Sequence, residues 1–215
     1  MTAVARSDAP TLRQVERVLA VVDRCLRKTF PTDYHKRCVY AAWGVQSLLN
    51  DLGYAPVAVG GDFAAFIVAQ DNSRAGLAGF AFNAEQCSHF WIECGDRLID
   101  IGPSYLPLEA SYPVARMPAL AWRMDDPLPA YLRYRVQMRF SPEDRLSTDP
   151  VIEARAERFV AACRARAAAQ RGHLVFPTGL ISGDASVRAI AGKGDSWARG
   201  ALRFSAMADW SSLPF

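Results

Sequence analysis

Histidine and lysine are both scarce in this 215-residue chain. It holds three histidines (His35, His89, His173) and three lysines, so arginine supplies nearly all of the 25 basic side chains. Any mechanism that needs an imidazole therefore has few candidates. No apolar run approaches the roughly 20 residues that cross a bilayer, which excludes an integral helical membrane protein. The cysteines (Cys25, Cys38, Cys87, Cys94, Cys163) are odd in number and scattered, which excludes a dense disulfide framework. Cys87-x-His89 with Cys94 could be read as metal ligands. A structural zinc site wants paired clusters, however, and no second CxxC or HxxxH exists; His173 and Cys163 would have to complete it from far away. No metal and no cofactor are expected. Gly60-Gly61-Asp62 lacks the Gly-Lys-[Ser/Thr] ending of a phosphate loop, and Gly192-Lys193-Gly194-Asp195-Ser196 follows no strand and reads as a loop.

What is present is an ordinary globular composition, 51% apolar and 22% charged, with a formal net charge of +3. Arg133, Arg135 and Arg139 recur at strand-like spacing, but no zinc-finger or aromatic RNA-binding signature accompanies them, so no nucleic-acid partner is expected. The start, MTAVARSDAP, lacks the basic-then-apolar layout of a signal peptide. The expectation is a cytoplasmic protein with reduced thiols, without a membrane partner.

Thr11-Leu-Arg-Gln14 is a capping box, and Leu12, Val15, Leu19, Val22 and Leu26 follow at helical spacing to about Lys28. After a break at Phe30-Pro31-Thr32-Asp33, a second helix is predicted from Tyr34 to Leu52, stopped by Gly53, with Cys38, Ala41, Ala42, Val45, Leu48, Leu49 and Leu52 facing inward. Ala55–Val59 and Phe63–Ala69 read as two short strands separated by Gly60-Gly61-Asp62, and residues 71–77 as a loop. Ser88–Cys94 and Arg97–Ile101, joined by Gly95-Asp96, read as a hairpin. The proline-rich stretch 103–130 reads as irregular, Tyr131–Phe140 as a strand and Val151–Gln170 as a helix; the glycine-interrupted last forty residues are less regular.

Cys38 lies near the start of the second helix, where the positive end of the helix dipole favours the nucleophilic thiolate. In the hairpin, a two-residue turn sets Cys94 opposite Arg97, Glu93 opposite Leu98, Trp91 opposite Asp100 and His89 opposite Gly102. His89 and Asp100 then share one face as diagonal neighbours, roughly 7 Å apart at the backbone, while Phe90, Ile92, Ile99 and Ile101 point into a core. A carboxylate beside an imidazole fixes its tautomer and stabilises the imidazolium, and such a pair facing a cysteine is an activated nucleophile. Glu93 shares the His89 face; it is an alternative to Asp100 as the orienting group and otherwise lines the cleft, as does Trp91. Cys25 and Cys94 read as packing residues.

His35-Lys-Arg-Cys38 opening a helix that ends Leu-Asn-Asp-Leu-Gly53, together with His89-Phe-Trp-Ile-Glu93 and Leu98-Ile-Asp100, resembles the transglutaminase-like branch of the papain-like cysteine proteinases. The resemblance spans about Thr32–Ser104. It implies an α+β fold with a papain-like or transglutaminase-like core: N-terminal helices packed on an antiparallel sheet, in a catalytic domain over residues 1–140. Beyond Ser104 the resemblance ends; from the Ala/Arg composition after Pro150, a helical C-terminal extension, 141–215, is expected to pack on the same domain. The resemblance also implies a Cys-His-Asp triad of Cys38 as nucleophile, His89 as general base then acid, and Asp100 as orienter. The chain departs from the family pattern in one respect: no Gln precedes Cys38 in the 29–37 stretch, so a second oxyanion donor would have to come from Tyr34 or His35. The implied activity is acyl transfer on a peptide or small amide through a thioester, with water or an amine as acceptor. The alternative is a non-catalytic protein-binding member of the same fold.

Overall fold

The protein is described by a computed structural model covering residues 9–80, 87–141, 144 and 149–207. The opening segment 1–8, on which the leader reading falls, lies outside the described residues. Helix α1 spans Leu12–Thr29, and its capping box forms: the Thr11 hydroxyl accepts from the Gln14 N–H while the Gln14 side chain accepts from the Thr11 N–H. The predicted second helix divides in two. Tyr34–Lys36 is a single 3-10 turn, and Arg37, at φ −107° and ψ 44°, leaves helical geometry, so α2 begins at Cys38 and runs to Asp51. Cys38 is therefore the first residue of α2 rather than a turn inside it. It is half-buried, and Leu52, past the helix end, is exposed. Leu52 departs from the predicted inward stripe, whereas Cys38 faces inward, beside His89.

Strand β1 is one long strand, Val57–Val68. The Gly60-Gly61-Asp62 stretch is not a turn between two strands but a ladder irregularity within one, between Gly60 and Gly61. Strand β2 spans Ala75–Phe80, so only the first part of the expected 71–77 loop is loop. The hairpin forms as β3 (His89–Cys94) and β4 (Arg97–Asp100), with Glu93 opposite Leu98 and Cys94 opposite Arg97 as predicted. Gly95, at φ +59°, takes the left-handed conformation that a primed two-residue turn requires. The 103–130 stretch is more regular than expected, with a 3-10 helix over Gly102–Glu109 and strand β5 at Ala119–Arg123. Strand β6 (Leu132–Phe140) and helix α3 (Pro150–Ala169) follow as read. The last forty residues then add β7 (Leu180–Ile181), α4 (Asp184–Gly192) and α5 (Ser196–Ser205). The Gly192–Ser196 stretch is the α4–α5 connection, in which Asp195 caps α5 through the Ala198 N–H.

The strands form a sheet in the order β2-β1-β3-β4-β5-β7, with β6 also paired to β1; every pairing is antiparallel except β5 with β7. Strand β1 pairs with β3 over Val57–Gly61, with β2 over Phe63–Val68 and with β6 over Ala58–Ala65. Because a strand has two edges and β6 runs along both stretches, β2 and β3 share the other edge of β1. Helices α1, α2 and α3 cover one face, packing on Ala58, Ile92, Cys94 and Ile99. Helices α4 and α5 cover the other, packing on Phe63, Trp91, Leu98 and Trp122. The C-terminal segment thus contributes to both layers and supplies a strand. Phe159 of α3 packs beside Gly44 of α2, where a β-carbon would stand 3.0 Å from its ring. The Trp197 Nε1–H of α5 donates to the Phe66 carbonyl at 2.8 Å. No helix among the described residues is long and apolar enough to cross a membrane.

Candidate active site

His89 is the first residue of β3 and Asp100 the last of β4, so the two stand at the end of the hairpin opposite its turn. Both are buried, at 1% and 3% exposure. His89 Nε2 and Asp100 Oδ2 are 2.7 Å apart. The other carboxylate oxygen, Oδ1, accepts the Gly102 N–H at 2.7 Å, which also turns the chain from β4 into the following 3-10 helix. A third donor reaches across from β6: the Tyr134 hydroxyl donates to Oδ2 at 2.7 Å. Asp100, accepting from three donors, holds its carboxylate plane and dictates that His89 carry a proton on Nε2. Nδ1 is then the ring nitrogen left for the cleft.

Cys38 occupies that side. It lies beside His89 although α2 lies on the opposite face of the sheet, because its N-terminus reaches the strand end where β3 begins. Burial disfavours the imidazolium of His89. The Asp100 charge and hydrogen bond, with the Cys38 contact added, outweigh it and bring the pKa up to about 10. Arg37 makes no side-chain cap to α2 and its first turn holds no acidic residue, so the positive end of the helix beside the Cys38 sulfur is not neutralised locally.

Cys38, His89 and Asp100 line one cavity of about 360 Å³, with Phe90, Ile101 and Tyr105 as its apolar walls and Ser88 and Gly102 beside the imidazole. His35, Lys36 and Glu109 complete the lining, and Glu109 accepts from both Lys36 Nζ (2.8 Å) and His35 Nε2 (3.1 Å). This ties the segment leading into Cys38 to the 3-10 helix that follows Asp100. Tyr105 is fixed from below, its hydroxyl donating at 2.8 Å to the buried Asp23 of α1, which also accepts from Arg27.

The structure separates the other residues singled out in the sequence. Tyr34 does not line the cavity: its hydroxyl accepts from Arg27 at 2.7 Å and its ring packs edge-on against Tyr105. His35 does enter, with its Nε2 engaged by Glu109. Trp91 is buried beneath the site, stacked on His89 at 6.2 Å rather than lining the cleft. Glu93 is held by two contacts of 3.0 Å to Arg139, away from the cavity lining; the carboxylate in contact with His89 is Asp100. Cys25 and Cys163 are buried against each other between α1 and α3, and Cys94 lies in the core. Among the described residues no cluster of three or more His, Cys, Asp or Glu could hold a metal.

Two groups near the site escaped the sequence reading. Tyr134 lay in a strand correctly recognised, but nothing local says that β6 pairs with β1 and so faces the hairpin. Asp62, read as part of the stretch separating two short strands, is fully buried and accepts from Arg135, Gln137 and Ser88, the neighbour of His89. Comparison with protein-family models, curated proteins and solved structures finds no match to this chain.

Proposed function

We propose that this protein is a cysteine-dependent acyl-transfer enzyme acting on an amide, with a core of the transglutaminase-like, papain-like kind. The observation that supports this reading is the convergence of Cys38, at the N-terminus of α2, with the His89–Asp100 pair on one cavity of about 360 Å³. In the proposed reaction the proton of the Cys38–His89 pair already resides on the imidazole, and the Cys38 sulfur, as thiolate, bonds to the substrate carbonyl carbon. The carbonyl π pair moves onto oxygen, where the Cys38 N–H and the positive end of α2 stabilise the charge. The imidazolium then gives its proton to the amide nitrogen. The C–N bond breaks, the amine leaves and a thioester remains. Water or a second amine attacks that thioester as His89 takes up the incoming proton, and Cys38 leaves as thiolate. Asp100 stays ionised throughout and stabilises the imidazolium.

A peptide or small amide fits a cavity of this size with mostly apolar walls. General-base activation contributes about 100- to 10,000-fold. The test is intact-mass and turnover analysis with activated acyl probes and a panel of peptidyl and aryl amides. An acyl group should appear on Cys38, turn over in the wild type, and be lost in Cys38→Ala, which keeps its fold. Full turnover in Cys38→Ala on a substrate of the wild type overturns the proposal.

A further inference from the structure

Asp100 Oδ2 accepts two hydrogen bonds of the same length, 2.7 Å, one from His89 Nε2 and one from the Tyr134 hydroxyl. We propose that Tyr134 is a positioning residue that sets how tightly Asp100 holds the His89 proton. The role rests on the acyl-transfer reading only in that His89 is taken to serve Cys38. Tyr134 is not among the residues lining the cavity, and its hydroxyl meets the site through Asp100.

The hydroxyl is aimed by its surroundings. The Tyr134 ring packs on Phe63 with centroids 4.8 Å apart and meets Trp91 edge-on at 5.1 Å. Trp91 can lie there because position 61 is glycine: a β-carbon would strike the Arg135 carbonyl and stand 2.9 Å from the Trp91 ring. The Gly102 N–H on Oδ1 removes the remaining rotational freedom of the carboxylate.

An oxygen that shares its lone pairs between two donors offers less charge to each. Among the described residues, the charged or titratable groups that face His89 are Asp100 from β4 and Cys38 from α2, with Tyr134 from β6 acting on Asp100. His35, Lys36, Glu109 and Tyr105 stand on the cavity walls, engaged with one another or with Asp23. Removing the Tyr134 hydroxyl leaves Asp100 Oδ2 to His89 alone, and the imidazolium becomes harder to deprotonate. Tyr134 thus keeps His89 able to release its proton to a leaving amine.

The experiment follows the His89 ring resonances by ¹H–¹⁵N NMR through the alkaline range. Tyr134→Phe keeps the ring packing, and its expected effect is a rise in the His89 midpoint of about half a pH unit, roughly threefold in proton affinity. Fluorotyrosine at position 134, a stronger donor, moves the midpoint down. In an Asp100→Asn background Tyr134→Phe moves nothing, because the group it acts through is gone. An unchanged or lowered midpoint in Tyr134→Phe overturns the proposal, as does a shift of equal size in the Asp100→Asn background. A purely structural role would lower thermal stability without moving the midpoint. Failure of Cys38 to acquire an acyl group would sink the acyl-transfer reading while leaving this result standing.

Discussion

Gly102 presses directly against His89: a β-carbon on it would stand 2.7 Å from the imidazole Nε2, closer still to Cε1, and 3.1 Å from Asp100 Oδ1. Its backbone is not in the left-handed region, so the demand for glycine here is one of space and not of φ. Gly102→Ala should displace the ring and break the His89–Asp100 contact while leaving the sheet formed. The expected result is a fall of about 100-fold or more in turnover, the lower end of what general-base catalysis contributes, with a circular dichroism spectrum like the wild type. Retention of most of the activity would mean that His89 tolerates a different rotamer.

His89 carries its own pH signature. Its ordinary pKa of 6.5 rises to about 10 in the folded protein, burial being outweighed chiefly by Asp100. Below about pH 6.5 both folded and unfolded chains hold the proton and the stabilisation is fully present. Above it the unfolded chain releases the proton while the folded protein keeps it. Stability then declines with a slope approaching about 1.4 kcal/mol per pH unit until the contribution is lost as pH rises through about 10. Urea unfolding of the wild type and His89→Gln at pH 6, 8 and 10 measures this, and the gap between them should shrink as pH rises. A gap that is constant or widens contradicts the coupling.

The thiols should react in a set order. Cys38 and Cys87 are half-buried, whereas Cys25, Cys94 and Cys163 are buried. Burial and the neighbouring Asp62 charge push the Cys87 thiol up, so it is a poor nucleophile at neutral pH. Burial pushes Cys94 up as well, to about 11. Iodoacetamide at pH 7 should therefore label Cys38 first, Cys87 only as the solution is made alkaline, and the other three only on unfolding. Peptide mapping after timed alkylation reads the order, and labelling of Cys87 ahead of Cys38 would count against an activated Cys38.

Asp23→Ala removes the acceptor of the Tyr105 hydroxyl and the carboxylate partner of Arg27. Leaving the buried hydroxyl unpaired costs about 1–3 kcal/mol. The thermal midpoint should fall accordingly, and the loss should be smaller for Asp23→Asn, which retains an acceptor oxygen.

Helix α5 should be integral to stability. Trp197 is fully buried and its indole N–H donates to the Phe66 carbonyl of β1. One turn on, Gly200 lies against Val68, where a β-carbon would collide, and it would stand 2.8 Å from Asn72 Oδ1. Trp197→Ala should cost about 3–5 kcal/mol by denaturant unfolding. A cost under about 1 kcal/mol would show that the second layer does not depend on this contact.

Much of the site was legible because its parts are local. The hairpin register follows from a two-residue turn, and period-2 alternation then places His89 and Asp100 on one face; the cross-strand pairs bear this out as far as the ladder extends. The Thr11 capping box is equally local. Where the reading failed, the deciding interaction lay far away in sequence. Gly60-Gly61-Asp62 looks like a separator of two short strands until β6 is laid along β1, bringing Arg135 and Gln137 over Asp62. Tyr34 reads from the sequence as a candidate oxyanion donor, but the packing of α1 against the 3-10 helix gives it Arg27 and Tyr105 instead.

By itself the sequence determined the helix cap, the hairpin and the choice of Cys38, His89 and Asp100 as a candidate set, since these depend on spacing and backbone preference within a few residues. Only the tertiary structure decided that α2 begins at Cys38, that its end meets the imidazole across the sheet, and that Tyr134 closes on Asp100. Those contacts join residues 34 to 51 positions apart, and such pairings arise from burying apolar surface across the whole domain, which no local pattern encodes.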